Sequence, residues 1–266
     1  MALITLFSAA GAPGTTVTAL GLALAWPRPV VLVDADASGT STIMAGYLRG
    51  QVAYDRGLLD LAMAARVGTL NTAIATTTLT LPNSTVEFLP GIRGHQQGAS
   101  VMGLWEPLSG VLRSLEQQGT DVIVDCGRLG TVGAPMPLVH ASDLALLCTR
   151  TTLPDIAGAR SWARSLVDEF ADMGAADRFG LALIDEGNPY TAREIRKALG
   201  APALLSLPWD PQAAGVYHHA AERRGKLSAS KLGRALSAGA NSLVQDIARN
   251  RAKLGTNLSE EGRQHV

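Results

Sequence analysis

Three aspartates in this sequence follow short apolar runs, and together they could handle a phosphate and a divalent cation. Asp34 and Asp36 close the stretch "VVLVDAD", and Asp125 closes "DVIVD". Alternation along an extended chain places Asp34 and Asp36 on the same side. Carboxylate oxygens are the ligands that Mg²⁺ takes beside phosphates, directly or through water. We therefore predict Asp34 and Asp125 as Mg²⁺ ligands, although an acid that starts a loop explains either segment taken alone.

A glycine-punctuated stretch near the start, "FSAAGAPGTTVTALGLALAW" (7–26), has the order of a phosphate-binding loop: strand, turn, helix. Gly11 and Gly14 permit a close backbone approach, and the N–H groups at a helix N-terminus bind phosphate through the backbone and the helix dipole. The hydroxyl of Thr16 occupies the position of the threonine that coordinates Mg²⁺ in such loops. An ordinary tight turn would explain this stretch alone, but three strand ends with matching chemistry favour a nucleotide site.

The elements that must position these residues alternate along the chain. Apolar runs predict strands at 2–8, 30–34, 85–90, 121–125, 144–149, 179–185 and 203–208. Most of these runs are continuously apolar, which is typical of strands covered on both faces. Helical patterns lie between them, at 16–25, about 57–66, 104–118, 153–172, 190–199 and 228–253. The alternation predicts an α/β fold with one doubly wound, mostly parallel sheet flanked by helices, and ligands at the carboxyl ends of the strands.

Length and composition narrow the class of protein. The 266 residues fit one α/β domain over 1–254, followed by a polar and flexible tail over 255–266. Lys+Arg and Asp+Glu both number 23, so zero net charge disfavours nucleic acid and an anionic membrane as partners, despite a modest basic stretch at 221–234. The two cysteines support neither a disulfide framework nor a zinc site. No apolar run reaches the ~20 residues of a membrane span, so we expect a cytoplasmic protein.

Together the three segments resemble the ParA/MinD family, the deviant Walker-A ATPases that position DNA, division proteins and secretion machines. The family loop reads K-G-G-x-G-K-T-T, and its counterpart here is "AGAPGTTV" (10–17), in which Gly11, Gly14 and Thr16 match. The next family motif, V-D-x-D-P-Q-G-N-x-T, is similar to "VDADASGTST". By this resemblance Asp36 is the catalytic residue that positions the attacking water. The resemblance implies a P-loop NTPase fold and ATP or ADP with Mg²⁺ as cofactors.

Later motifs extend the resemblance over roughly residues 1–250. The stretch "VIVDCGRLG" is similar to the family's Walker-B motif, hydrophobic residues and then D-x-P-P-x-x-G, but Gly127 and Arg128 replace the proline pair. The stretch "LLSLPWDPQAAG" is similar to the loop on the adenine side. The resemblance therefore implies base contacts from Pro208, Trp209 and Asp210.

Both loop lysines of the family are missing. Ala10 stands in place of the signature lysine, Ala12 in place of the second glycine, and Thr15 in place of the phosphate-binding lysine. Pro13 also removes one backbone N–H from the loop. Phosphoryl transfer depends on stabilising negative charge, and the loss of one placed donor costs ~10²–10³ in rate. We therefore expect weak nucleotide binding by the loop residues 11–16 and negligible turnover.

Arginines are the candidates to replace the missing charge. Arg128 follows Asp125, Arg150 follows the strand "LALLCT", and Arg93 lies in "PGIRG". For each of them a solvated or ion-paired surface position is the competing interpretation. The adjacent His218 and His219 are interpreted as surface residues, since neighbours on a helix point in different directions.

These features favour a pseudo-ATPase that works by binding partners. The resemblance implies a homodimer, and degenerate members are associated with pilus and tight-adherence secretion, septum-site and partition systems. The expected partners are a secretion or pilus assembly ATPase or a division or partition protein, with recruitment to the pole or septum. The chain lacks a basic amphipathic terminal helix, which disfavours direct membrane binding. Two alternatives stay open: an active ATPase that uses arginine in place of lysine, and an ATP-dependent metabolic ligase of the same fold.

Overall fold

The computed structural model describes residues 2–39, 41–219, 221 and 227–264, with side chains as far as Lys253. Within this part of the chain the strands are β1 (Leu3–Ser8), β2 (Val30–Asp34), β3 (Leu79–Thr80), β4 (Glu87–Leu89), β5 (Asp121–Arg128), β6 (Leu144–Arg150), β7 (Phe179–Ile184) and β8 (Ala203–Leu207). The α-helices are α1 (Thr15–Ala25), α2 (Leu58–Arg66), α3 (Leu70–Thr77), α4 (Gly98–Val101), α5 (Trp105–Ser114), α6 (Met136–Ala141), α7 (Leu153–Asp172), α8 (Ala192–Leu199), α9 (Pro211–His218) and α10 (Lys231–Gln264). No helix of this described part is long and apolar enough to cross a membrane.

The strands form one sheet in the order β3-β4-β2-β5-β1-β6-β7-β8. All pairs are parallel except the antiparallel pair of β3 with β4 at one edge. This confirms the predicted doubly wound, mostly parallel sheet. The order also places β5 between β1 and β2, and its register aligns Asp34 with Asp125. The ends of these three strands therefore meet at one place on the sheet edge.

The continuous apolar character of the strands follows from two cores, one on each face of the sheet. In β1, Leu3 and Phe7 belong to one cluster, while Ile4 and Leu6 belong to the other. Side chains alternate between faces along a strand, so a strand covered on both faces needs apolar residues at every position. Helices α5 and α7 cover the first cluster, and α1 and α10 cover the second.

Several elements differ from the predictions. The predicted helix 104–118 is α5 followed by a tighter 3-10 turn over Leu115–Gln118. Helices α3, α4 and α6 were not predicted, since each has only eight residues or fewer and α3 is rich in threonine, a residue that favours helices weakly. The backbone of α10 continues into 255–264, which belongs to the predicted polar tail. The domain boundary at residue 254 stays a prediction.

Helix α10 packs closely on α1 through glycine. A methyl group on Gly21 of α1 would lie 2.5 Å from Cδ1 of Leu236, and one on Gly239 of α10 would lie 2.4 Å from Cδ1 of Leu205 in β8. Farther along α10, Arg251 donates to Asp143 at 3.0 Å. The last long helix is therefore held against both α1 and the sheet.

A buried acid ties the amino ends of the strands together. Asp121 accepts hydrogen bonds from the backbone N–H of Ala2 at 2.6 Å and from Nε1 of Trp26 at 2.7 Å. Nε of Arg28 lies 2.7 Å from the same carboxylate. Removing a buried acceptor leaves its donors without partners, and that is more costly than the net value of the bonds.

We expect Asp121→Ala to lower the free energy of unfolding by about 3 kcal/mol or more, because three donors lose a buried acceptor. Urea unfolding followed by circular dichroism measures this loss. The matched control is Asp172→Ala, at an exposed position on α7, which should change stability by less than about 0.5 kcal/mol. Equal effects of the two substitutions would contradict a structural role for Asp121.

Candidate functional site

A cavity of about 700 Å³ lies at the carboxyl ends of the parallel strands. Volumes of this size are typical of small-molecule sites, and in open α/β sheets such sites lie at this edge. The cavity is bounded by the glycine loop, the start of α1, and the loops that follow β2, β5, β6 and β8. The predicted site residues that line it are Gly11, Ala12, Pro13, Gly14, Thr15, Thr16, Asp36, Arg128, Arg150, Pro208, Trp209 and Asp210.

The loop between β1 and α1 has the backbone of an anion site. Gly11 and Gly14 have φ angles of 65° and 106°, which non-glycine residues rarely adopt. Gly14 is the N-cap of α1, and no side chain caps the helix there. Its carbonyl accepts from the backbone N–H of Thr18 at 2.8 Å. The first N–H groups of a helix have no intrahelical acceptor, and no side chain caps them here. They are therefore suited to bind phosphate.

Two buried carboxylates lie side by side behind this loop. Asp34 and Asp125 are cross-strand neighbours, and both are almost fully buried. Burial raises the pKa of Asp34 to about 7, an effect that a hydrogen bond from Ser41 opposes and the charge of Asp36 increases. Burial and the charge of Asp34 raise the pKa of Asp125 to about 8. The pair is therefore short of a compensating positive charge.

Asp125 has a carboxylate oxygen that is available to coordinate a cation. One of its oxygens, Oδ1, accepts from the backbone N–H of Gly127 at 3.0 Å. The other, Oδ2, is buried and has no hydrogen-bond partner among the described residues. The nearby hydroxyl of Thr16 lowers the pKa of this carboxylate. A hydroxyl, two carboxylates and an unpartnered oxygen are chemically suited to a Mg²⁺ ion beside phosphates, and Thr16, Asp34 and Asp125 stay the predicted ligands.

Asp36 stands at the cavity wall against Gly127. A methyl group on Gly127 would lie 2.2 Å from Cγ of Asp36, and the φ angle of Gly127 is 62°. Oδ1 of Asp36 accepts from the backbone N–H of Ser38 at 2.8 Å. Glycine at 127 is therefore required by both the backbone conformation and the carboxylate beside it. The sequence showed this glycine only as a departure from the family motif.

The two positions of the missing lysines are closely surrounded. A methyl group on Gly158 of α7 would lie 2.7 Å from Cβ of Ala10, so this alanine faces the helix at close range. Thr15 is buried, and its Oγ1 has no hydrogen-bond partner among the described residues. No lysine of the described part lines the cavity.

Arg150 is the candidate arginine for which a hydrogen bond to the loop is seen. Its Nη2 donates to the carbonyl of Ala12 at 3.3 Å, and its Cζ lies 4.5 Å from the ring centroid of Trp209. Nε of Arg150 is buried without a partner among the described residues. Arg128 lines the cavity from an exposed position. Arg93 lies over the ring of Tyr54 and is not among the residues that line the cavity.

The predicted base-contacting residues divide into two kinds. Pro208 and Trp209 present apolar surface to the cavity. Asp210 is the N-cap of α9 and accepts from the backbone N–H of Ala213 at 3.1 Å, so its carboxylate also has a structural use. It accepts from the N–H of Leu232 at 3.3 Å as well, which joins α9 to α10. Base contacts by these residues stay a prediction.

Sequence reasoning missed several residues of the cavity wall. Among them are the adjacent histidines at the end of α9, which were interpreted as surface residues pointing in different directions. His219 is exposed, as interpreted, but the two rings lie 3.7 Å apart and line the cavity, because His219 is the C-cap and leaves the helical conformation. The apolar side chains at the ends of β7 and β8, Ile184 and Leu207, line it too. Their position at the ends of strands was the sequence signal that could have identified these two residues as part of the cavity wall.

Residues 222–226 of the basic stretch lie outside the described residues.

The chain matches no protein-family model and no curated protein. Solved structures do match. The cell division ATPase MinD of Pyrococcus furiosus is 21% identical with a TM-score of 0.70, over 92% of this chain and 99% of that one. A ParA family ATPase from Chlorobium tepidum TLS is 18% identical with a TM-score of 0.70, over 90% and 97%. The septum site-determining protein MinD of Pyrococcus horikoshii OT3, complexed with Mg-ADP, is 19% identical with a TM-score of 0.66, over 90% and 94%.

These matches span nearly the whole of each chain, so the protein has the fold of the ParA and MinD ATPases. The resemblance seen in the sequence is thereby confirmed at the level of fold. Matches at about 20% identity establish a shared fold and nothing about activity. The activity of this chain has to be argued from its own residues.

The raised pKa values of Asp34 and Asp125 predict a pH-dependent stability. The folded protein keeps protons on these groups between about pH 4 and pH 8, whereas the unfolded chain releases them near its ordinary value of 3.8. The free energy of unfolding should therefore fall as the pH rises through this window. Urea unfolding at pH 5, 6, 7 and 8, with EDTA to remove divalent ions, measures the fall.

The substitution Asp125→Asn removes one of the titrating groups with little change in shape, and should make the pH dependence flatter. The control Asp172→Asn, at an exposed site, should keep the wild-type dependence. An unchanged slope in Asp125→Asn would show that the carboxyl pair does not hold its protons in this range.

Proposed function

We propose that this chain is a ParA/MinD-like pseudo-ATPase: a dimeric localisation or scaffold protein that binds ATP or ADP with Mg²⁺ weakly and hydrolyses ATP negligibly. The apparatus it serves is a pilus or tight-adherence secretion system, a septum-site system or a partition system. A cell division ATPase and a septum site-determining protein share its fold, which supports this range. It works in the cytoplasm and reaches the pole or septum through a secretion or pilus assembly ATPase or a division or partition protein.

The observation that carries this proposal is an ATPase-like loop without its cations. The backbone of residues 11–16 and the buried pair Asp34 and Asp125 have the arrangement of a Mg²⁺–nucleotide site. Yet Ala10 and Thr15 are uncharged and closely packed, and no described lysine lines the cavity. Catalysis of phosphoryl transfer is mainly the stabilisation of negative charge, so the loss falls on turnover more than on binding.

Each residue then has a defined task. The N–H groups at the start of α1 hold the phosphates, and Thr16, Asp34 and Asp125 hold Mg²⁺, which when bound neutralises phosphate charge. Asp36, at the cavity wall beside Gly127, orients a water molecule. Without a lysine, the negative charge that develops during transfer has no dedicated donor.

A second candidate is an active ATPase in which Arg150 supplies the missing charge. The contact of its Nη2 with the carbonyl of Ala12 and its unpartnered Nε favour this alternative. Arginine keeps its charge in proteins, and its planar group suits phosphate oxygens. The two candidates differ in turnover, which is directly measurable.

Three exposed apolar side chains support self-association at the edge of the sheet that carries the cavity. Val132, Leu153 and Trp209 are 73%, 63% and 49% exposed. They lie in the loops after β5 and β8 and at the first residue of α7, which follows β6, so all three follow carboxyl ends of parallel strands. Apolar side chains grouped at one edge are suited to an interface. A dimer formed there needs no lysine reaching across it.

We expect the purified protein to bind the Mg²⁺ complex of a non-hydrolysable ATP analogue weakly and to release no phosphate from ATP above background. Isothermal titration calorimetry and a phosphate-release assay measure the two quantities. Phosphate release by the wild type that is lost in Asp36→Ala would sink the pseudo-ATPase and favour the arginine alternative.

The variant Thr15→Lys tests whether the lost lysine explains the weak binding. A hydrogen bond to a charged group contributes about 1.5–3 kcal/mol, so affinity for the analogue should rise about tenfold to a hundredfold. The matched control is Thr72→Lys, which adds the same charge at an exposed site on α3 and should leave affinity unchanged. Equal affinities of Thr15→Lys and the wild type would show that the loop does not hold phosphate.

The proposed dimer should form without nucleotide. Sedimentation equilibrium is expected to give twice the mass of the chain with and without Mg²⁺–ATP. The substitutions Val132→Asp and Leu153→Asp should both produce monomers, because they place a charge in the interface. The control Val67→Asp, at a 73% exposed position just after α2, should stay dimeric. A monomeric wild type, or dimers that survive both edge substitutions, would refute this interface.

A further inference from the structure

The two ends of the cavity differ in chemistry. One end is the start of α1, where the loop offers backbone N–H groups and small hydroxyls. The other end is formed by Ile184, Leu207, Pro208, Trp209 and Leu232, which are apolar or aromatic. A ligand that spans the cavity therefore meets polar backbone at one end and apolar surface at the other.

The formal charges of the acidic and arginine side chains that line the cavity sum to zero. Among the described residues they are two acids, Asp36 and Asp210, and two arginines, Arg128 and Arg150. Behind the loop lie the further acids Asp34 and Asp125, buried next to each other. A chain of phosphates, which carries several negative charges, therefore enters a cavity without an excess of positive side chains. Pro13 also removes one backbone donor from the loop.

Arg150, which hydrogen-bonds to the loop, also lies against the aromatic end of the cavity. Its guanidinium lies 4.5 Å from the ring centroid of Trp209, and its Nη2 donates to the carbonyl of Ala12. The Trp209 side chain is half exposed at the cavity wall. Flat guanidinium and indole groups both stack well on a heteroaromatic ring. The pair offers a planar platform to a base, and phosphate receives little of the arginine charge.

From these observations we infer that the cavity selects its ligand by a flat nucleoside ring, and that phosphates add little to the affinity. The inference rests on the proposed nucleotide site and specifies its ligand class: nucleosides and nucleotides of any phosphate number. Free helix N-termini contribute only modestly to anion binding. Adenosine, AMP, ADP and ATP should therefore bind with dissociation constants within about fivefold of one another.

The test is a calorimetric titration of the full chain with adenosine, AMP, ADP and ATP, each with and without Mg²⁺. Ribose 5-phosphate and inorganic triphosphate serve as ligands without a base, and we expect no measurable binding of either. Trp209→Ala should weaken all four adenine ligands by a similar factor of about tenfold, because stacking on one aromatic ring is lost. Val67→Ala, remote from the cavity, is the control and should change none of them.

Two further variants separate the ring end from the phosphate end. Arg150→Lys keeps the charge but loses the flat group, so it should weaken adenosine and ATP equally. If Arg150 instead acted on phosphate, the lysine variant would bind adenosine as the wild type does, and only the affinities for AMP, ADP and ATP would change. In Thr15→Lys the affinity should rise with the number of phosphates from adenosine to ATP. Adenosine itself should bind as it does to the wild type. Thermal melting of each variant checks that it is folded.

The outcomes distinguish this inference from the function on which it rests. The inference is supported if the four adenine ligands bind the wild type with similar affinities and if Trp209→Ala weakens all four by a similar factor. ATP binding more than about fiftyfold tighter than adenosine in the wild type would overturn the inference and leave the nucleotide site intact. Failure of all four ligands to bind at millimolar concentration would overturn both the inference and the nucleotide-binding part of the proposed function.

Discussion

The pairing of β5 with β1 on one side and β2 on the other is the constraint on which the site depends. It places the carboxylates of Asp34 and Asp125 next to each other, almost fully buried, at the point where the glycine loop leaves β1. Two buried like charges are unfavourable, so the pair either keeps protons or attracts a cation. The loop, the hydroxyl of Thr16 and the cavity in front are arranged around this unbalanced charge.

Under the proposed function, the loop is a case of a fold that outlasts part of its chemistry. Its backbone has the left-handed glycines and the uncapped helix start of an anion site, and these depend on glycine and on helix geometry rather than on charge. The lysine positions are independent of that scaffold. Ala10 and Thr15 occupy them, and a cavity of about 700 Å³ lies in front of the loop.

Much of the fold followed from sequence because its determinants are local. Continuous apolar runs predicted buried parallel strands, and acids at their ends predicted which residues meet at the cavity. Apart from the adjacent rings of His218 and His219, the contacts missed were those between distant segments. The approach of Asp36 to Gly127 depends on how two loops settle, and the stacking of Arg150 on Trp209 joins residues 59 positions apart. Neither leaves a periodic trace in the sequence.

The glycine contact between α1 and α10 has a consequence for how the molecule transmits force. Because Gly21 lets Leu236 sit where a methyl group would otherwise be, the two helices cannot slide past each other without opening the core. The N-terminus of α1 is also the wall of the cavity. A displacement of α10 should therefore move α1 with it, so the first turn of α1, which borders the cavity, is tied to the packing of the final helix.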